Sequence, residues 1–360
     1  MAAHDFTNIT TEEMTDYSVA AFDEKGKYDV KVPCPQIGSQ KHVGIFRKYD
    51  TQAFNSNLFQ TIADGELAPL ATWGHSTDTY SIEVRGLRDF ISDRDVANEE
   101  EAISLSQDTA LFLARNCIKQ RNAHFVDITL NDNNQWATEL TGVSAAVPEV
   151  INSSSEFQQF DQAAAEPLSV FDKVMETMLE AVGLKGDTLI IPRQIVTFLK
   201  RNDEINQYGI NNPTGGIAGG DSYVVNIIAQ YCDIDASRIH IIEAVVDTAA
   251  ITSTDSDEAD HNNEDFGPKL SQGTEALAFM APKNILIAHM GDLNAGRKSQ
   301  SALVEFLWTG LYPGTGETGN YKVKTNYNAN REGLYMEARN AFAFKVAAPK
   351  LGVLLKGAIA

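Results

Sequence analysis

Residues 98–121 commit this chain to one long helix before anything else about it is decided. The segment reads Asn-Glu-Glu-Glu-Ala-Ile-Ser-Leu-Ser-Gln-Asp-Thr-Ala-Leu-Phe-Leu-Ala-Arg-Asn-Cys-Ile-Lys-Gln-Arg. Asn98 is a good N-cap, and Glu99, Glu100 and Glu101 sit where the helix dipole favours negative charge. Arg115, Lys119 and Arg121 lie toward the other end, where the dipole favours cations. Ile103, Ala110, Ala114 and Cys117 recur on one face, widened by Leu111 and Ile118. At 1.5 Å per residue the helix would span roughly 36 Å. Its apolar stripe carries no acid, base or ligand pair, so it is expected to be a structural beam.

The beam needs a body to brace, and 360 residues suffice for two domains or one with large excursions. Residues 1–14 are polar and acidic, unlike a signal peptide or a basic transit sequence. No apolar run approaches the roughly 20 residues of a membrane helix. Cys34, Cys117 and Cys232 lie far apart and form no metal-ligand spacing. A formal charge of -20 argues against a duplex-binding surface, which needs clustered Lys and Arg.

Along the chain, residues 1–26 show no sustained periodicity and read as an arm ending at Gly26. Tyr28–Val32 is an expected strand stopped by Pro33 and Pro35. Val43–Tyr49 is a second, and the alternation of Tyr80, Ile82 and Val84 through Arg85 gives a third. Between these two lies a long excursion, residues 50–78, that is apolar for a solvated loop: Phe54, Leu58, Phe59, Ile62, Leu67, Leu70 and Trp73. Two readings stay open, a loop folded on its own core or an arm buried by another subunit. Beyond the long helix, Phe125–Leu130 reads as a strand, residues 142–166 as a surface crossing, and Pro167–Val182 as a helix stopped by Gly183.

A compact α/β unit should follow. It comprises a strand at Thr188–Ile191, a helix at Arg193–Arg201, a glycine-rich loop at Gly209–Gly220 and a helix at Tyr223–Tyr231. Strands then run at Ile239–Val246, Ala276–Met280 and Ile285–His289. The last sixty or so residues read as strands: Leu303–Trp308, Tyr321–Thr325, Gly333–Arg339, Phe342–Val346 and Leu351–Leu355. These strands are expected to return to the sheet beside the long helix, which leaves the middle unit as an insertion.

The motifs that could carry chemistry fall short. Gly291-Asp-Leu-Asn-Ala-Gly296-Arg297-Lys298-Ser299 follows a strand and nearly spells a phosphate-binding loop, but Arg297 pushes Lys298 one residue late. The acidic run of Asp255, Asp257, Asp260, Glu264 and Asp265 suggests calcium, yet Ala259 stands where a ligand belongs. Seven histidines are scattered without metal-site spacing. No catalytic, cofactor or metal residue can be named from the sequence.

The layout resembles that of tailed-bacteriophage major capsid proteins of the HK97 fold, along nearly the whole chain. Three stretches carry the resemblance. They are Ser76-Thr-Asp-Thr-Tyr80 running into the strand and the acidic-capped helix; Phe171–Leu184 with Gly186-Asp-Thr-Leu-Ile-Ile-Pro192; and Phe344-Lys-Val-Ala-Ala-Pro349-Lys-Leu-Gly-Val-Leu. The resemblance implies an α+β subunit with an N-terminal arm at 1–26 and an E-loop region at 27–90. It implies a peripheral domain with the long spine helix at 91–167 and 300–360, and an inserted axial domain at 168–299. It further implies a non-enzymatic protein of the virion, assembled in the host cytoplasm as hexamers and pentamers into an icosahedral shell that encloses DNA without binding it specifically. A separate scaffolding protein, or none, and a portal, with or without a decoration protein, would be the partners, with no membrane and no cofactor. Phe54, Leu58, Phe59, Leu67, Leu70 and Trp73 would then lie on a neighbouring subunit. Some family members cross-link through an E-loop lysine; this chain has no lysine between Lys48 and Lys119, so no such bond is expected. An encapsulin-type cellular shell shares the fold, and a nucleotide-binding enzyme using residues 291–299 is the rival from another class.

Overall fold

A computed structural model of the chain describes residues 32–49, 59, 61–62, 64, 67–68, 70, 75–97, 105–131, 134–147, 149–211, 220–247, 277–291, 300–311 and 321–360. In chain order the first elements are β1 (Gln36–Ser39), β2 (Val43–Tyr49), β3 (His75–Ser81), β4 (Glu83–Ser92), the short α1 (Asp93–Ala97) and α2 (Leu105–Thr129). Next come β5 (Thr138–Val143), β6 (Glu156–Gln158), α3 (Pro167–Val182), β7 (Thr188–Pro192), α4 (Arg193–Leu199), α5 (Asp203–Asn211) and α6 (Asp221–Cys232). The strands β8 (Ile239–Ile242), β9 (Val245–Asp247), β10 (Leu277–Phe279), β11 (Ile285–Ala288), β12 (Leu303–Trp308), β13 (Tyr321–Asn328), β14 (Gly333–Val346) and β15 (Gly352–Lys356) complete the order.

Two sheets organise these elements. The first runs β1-β12-β14-β13, and β4 pairs with the far side of β14. The second runs β6-β5-β15-β11-β7-β8. The long helix α2 joins them. Its first half lays Ala110, Leu113, Ala114 and Cys117 on Ile91, Val323, Leu334, Met336 and Ala338 of the first sheet. Three of those four helix residues are small, so the helix axis can approach the strands closely. Its second half places Phe125 and Val126 among Ile190, Leu286, Ala288 and Leu354, side chains that point out of the second sheet.

The opposite face of the second sheet carries Leu189, Ile191, Ile285, Ile287, Val353 and Leu355, packed on Phe171, Val174, Met178, Val224 and Ile228 of α3 and α6. Alternate residues of β7, β11 and β15 therefore enter two different cores. This explains why these strands are apolar throughout rather than at every second position.

The helix runs past its expected end, while its expected start at 98–104 lies outside the described residues. At the other end the helix runs through Thr129, and Phe125–Leu130, expected as a strand, is helical almost to its end. The misreading came from Arg121 and Asn122, which interrupt the apolar stripe although both are buried. Helical spacing resumes beyond them at Phe125 and Thr129. The end is closed by side chains: Trp136 Nε1 donates to the Thr129 carbonyl at 3.0 Å and Asn284 Nδ2 to the Leu130 carbonyl at 2.8 Å.

Other expectations change similarly. Tyr28–Lys31 lies outside the described residues, and the strand seen here is β1, which starts after Pro35 and pairs parallel with β12. The third strand breaks at Ile82, whose N–H turns to the His42 carbonyl at 2.7 Å. Before that break β3 pairs with β2, and after it β4 pairs with β14. Residues 142–166, expected as a surface crossing, include the end of β5 and all of β6, with Phe157 and Phe160 buried. Helix α5 was not anticipated; it extends into the glycine-rich stretch and buries Gly209. Ile239–Val246 divides into β8 and β9, whereas Gly333–Val346 is one strand, not two.

The helix at Pro167–Val182 forms as expected, with proline in its first turn and Gly183 left-handed at φ 78°. Of the closing strands, β12, β13 and β14 return to the sheet under α2. Strand β15 does not; it enters the second sheet between β5 and β11.

Candidate assembly surface

The excursion between the second and third strands leaves the body as a two-stranded ribbon. Strands β2 and β3 pair antiparallel from Val43↔Ser81 to Tyr49↔His75. A two-stranded ribbon is marginal alone, so its inner face has to be anchored. Tyr80 stacks on Phe306 of β12, with ring centroids 4.1 Å apart and planes 7° from parallel, and Phe46 meets the same ring at 5.7 Å. The Tyr80 and Ser39 hydroxyls share a hydrogen bond of 2.7 Å. Gly44 lies directly across from Tyr80, where a Cβ would come within 2.3 Å of the phenol oxygen. Asp78 bonds Lys48 at 2.6 Å and faces Lys345 at 3.6 Å; the Lys48 hydrogen bond holds the Asp78 carboxyl below its ordinary range. The ribbon is thus fixed at its base by an aromatic stack and a small charge cluster.

Its outer side is different. Val43 and Ile45 point away from the body and are exposed. Beyond the paired strands, Phe59, Leu67 and Leu70 are 97, 96 and 93% exposed, so these three side chains do not pack on the described core. Phe54, Leu58 and Trp73, the other expected contact residues, lie outside the described residues. Fully burying one such Leu or Phe is worth about 1.5–3 kcal/mol, so leaving three in water costs the isolated subunit a sizeable gain.

Beneath the ribbon lies a feature that the sequence did not disclose. Glu305 of β12 is fully buried and receives both arms of the Arg121 guanidinium, Nε to Oε1 at 2.9 Å and Nη2 to Oε2 at 2.7 Å. Gln36 Nε2 donates to the same Oε2 at 2.9 Å, and Arg121 also lies over the Phe344 ring at 5.8 Å. Arg121 was expected near the helix end as a partner for the dipole; instead it sits inside the protein, mid-helix, and ties α2 to β12 and β1. The available signal was Glu305 itself, an acid inside the otherwise apolar run Leu303–Trp308. A bidentate pair with further hydrogen bonds offsets much of the desolvation cost and fixes the helix in register on the sheet.

The near-miss phosphate loop has the wrong setting. Strand β11, which precedes it, is antiparallel to both of its neighbours, β7 and β15. Residues 292–299 lie outside the described residues, and the next described element is the strand β12. A phosphate loop instead leads from a parallel strand into a helix whose N-terminus holds the phosphates. The strand's exit is secured by Asp187, which accepts from the Met290 and Gly291 N–H groups at 2.7 and 3.0 Å and pairs with Arg238 at 3.1 Å. That carboxylate takes the last two backbone donors before the loop.

No protein-family model and no curated protein sequence matches the chain. Solved structures do. A phage-related protein from Bordetella bronchiseptica RB50 superposes with a TM-score of 0.60 at 12% identity, over 96% of this chain and 97% of that one. The capsid protein of cyanophage P-SCSP1u gives 0.53 at 11% identity, over 92% and 89%. The protein of the bacteriophage PhiM1 mature capsid gives 0.51 at 10% identity, over 92% and 87%. With its two sheets, its long bridging helix and its projecting ribbon, the chain has the HK97-like fold of tailed-phage capsid proteins.

Proposed function

We propose that the chain is a major capsid protein, a structural subunit that assembles with copies of itself into the shell enclosing a phage genome. The observation that carries this reading is the near-complete exposure of Phe59, Leu67 and Leu70 at the end of a ribbon whose base is firmly anchored. Apolar side chains left in water beyond an anchored base suit a surface covered by something outside the subunit. On this fold the covering surface is a neighbouring copy, and Phe54, Leu58 and Trp73 belong to the same contact.

In the proposed division, residues 1–26 form the N-terminal arm and 27–90 the E-loop region. Residues 91–167 and 300–360 form the peripheral domain, and 168–299 the axial domain. By pairing, β5, β6 and β15 are shared with the axial side. Hexamers and pentamers, a host-cytoplasmic assembly site, a separate scaffolding protein, a portal and a decoration protein follow from the same reading. The subunit performs no catalysis, and the shell holds its DNA by enclosure.

Expression of the chain, size exclusion and negative-stain imaging test the proposal. Closed shells, sheets or hexamers are the expected outcome, separating to single chains on a denaturing gel because no lysine lies between Lys48 and Lys119 to cross-link from the excursion. A strictly monomeric chain that binds a nucleotide tightly would refute it.

A further inference from the structure

Among the described residues, the outer face of the first sheet, turned away from α2, is covered over only half its length. Near β12 the ribbon lies on it through Phe46 and Tyr80. At the other end the face is polar and basic. Strand pairing there sets Lys322 beside Arg339 and Lys324 beside Glu337, then Glu337 beside Arg88 and Tyr335 beside Phe90. Arg331 joins them by donating to the Tyr335 hydroxyl at 3.1 Å. Arg88, Lys322, Lys324, Arg331 and Arg339 thus share this end of the sheet with one carboxylate, Glu337, which pairs with Arg339, on a chain of formal charge -20. Arg88, Lys322 and Lys324 are exposed.

Three properties define what this face can hold. The aromatic rings are already engaged: Phe90 meets Tyr335 at 4.7 Å, and Arg88 lies over the Tyr335 ring at 5.7 Å. Stacked bases therefore have no open platform, which removes the main affinity of a single-stranded nucleic acid. The cations stand on a pleat, about 6.6–6.8 Å apart along a strand, the spacing of alternate side chains in a second extended chain. Finally, a protein this acidic repels free polyanions overall, so an anionic partner must be brought by contacts made elsewhere, at high effective concentration.

We infer that this basic half-face docks the acidic segment 252–268 of a second copy of the chain. The inference rests on the capsid reading above. The segment carries Asp255, Asp257, Glu258, Asp260, Glu264 and Asp265 and no Lys or Arg. Asp255 and Asp257 have the two-residue spacing of Lys322 and Lys324. The other acidic stretch, residues 1–24, interleaves Phe6, Ile9, Met14, Tyr17 and Phe22 with its acids and calls for an apolar counterpart that this face lacks. Pairing of the two surfaces would offset repulsion between copies that each carry the same negative charge.

The test uses full-length chains carrying Lys324→Cys or Asp257→Cys, mixed and oxidised with oxidised glutathione. The native Cys34, Cys117 and Cys232 are buried and leave a low background. The expected result is a mixed disulfide-linked dimer that forms at least about tenfold faster than dimers of either variant alone, and slows in about 1 M salt, where the Debye length shrinks to about 3 Å. Equal rates in all mixtures would overturn the inference, as would preferential linkage of Lys324→Cys to Phe22→Cys. A DNA gel shift by the native chain that Lys322→Glu with Lys324→Glu abolishes would assign the face to nucleic acid instead. Negative-stain images of the same samples separate the two levels: shells without the cross-link sink only this docking, and absence of both sinks the capsid reading as well.

Discussion

A chain carrying Phe59→Ser, Leu67→Ser and Leu70→Ser would separate assembly energy from folding energy. In the single subunit the three side chains are 93–97% exposed, so their removal should change subunit stability by no more than about 0.5 kcal/mol. In the shell each would be buried, and at about 1.5–3 kcal/mol apiece their loss removes roughly 5–9 kcal/mol of gross burial per subunit. Ordering of the side chains offsets part of this. Even a net loss of about 2 kcal/mol per contact weakens association roughly 30-fold. The assay is light scattering against protein concentration, with thermal unfolding of the unassembled subunit as control. The expected result is a critical concentration at least about 30-fold higher with an unchanged Tm. A fall in Tm with normal assembly would refute the reasoning, because the excursion would then be packing on its own subunit.

Two further outcomes test the interior. Glu305→Gln leaves the buried Arg121 guanidinium without its counter-charge and should cost about 3–5 kcal/mol in urea unfolding, whereas Arg121→Met with Glu305→Leu should cost much less; equal losses would show that the pair does not behave as a buried ion pair. Burial pushes the Cys117 and Cys232 thiols up from 9.0 to about 12, so neither should react with a disulfide reagent at pH 8 until the chain unfolds. Because these thiols hold their protons longer folded than unfolded, the stability they contribute is complete below about pH 9 and is lost as pH rises toward about 12. Rapid native labelling at pH 8 would contradict that burial.

Much of the fold could be read from apolar runs and spacing. Leu303–Trp308, Thr188–Ile191, Ile285–Ala288 and Pro167–Val182 appear where their patterns place them. Spacing failed where charge is buried or where a strand changes its surroundings or partner partway. Arg121 and Asn122 broke the stripe of α2, so its second half looked like a separate strand. Gly333–Val346 was divided because its central residues change surroundings: Met336 and Ala338 lie under α2, whereas Ala341 lies under the ribbon. Ile82 looked like one position in a continuous strand, yet it is the point where the chain exchanges one pairing partner for another. The excursion was legible as an apolar loop, but two readings of it were open. The exposure of Phe59, Leu67 and Leu70 supports the outward reading at those three positions, and the others lie outside the described residues. The Arg121–Glu305 pair could not have been found from spacing, because its members are 184 positions apart.

The position of β15 bears on when the subunit can form at all. It lies between β5 and β11 and joins residues 138–141 to residues 285–288, yet it follows every other described strand. During synthesis, β5 and β11 each keep an unmatched edge until residues 352–356 have left the ribosome. The helices over the second sheet can gather earlier, but the core they share with Val353 and Leu355 closes last. Pairing across so much sequence is slow to establish, and the open edges are sticky while they wait. A nascent chain is therefore kept from becoming a finished building block until translation has passed this strand. Under the assembly proposed above, that delay would keep incomplete chains out of the growing lattice.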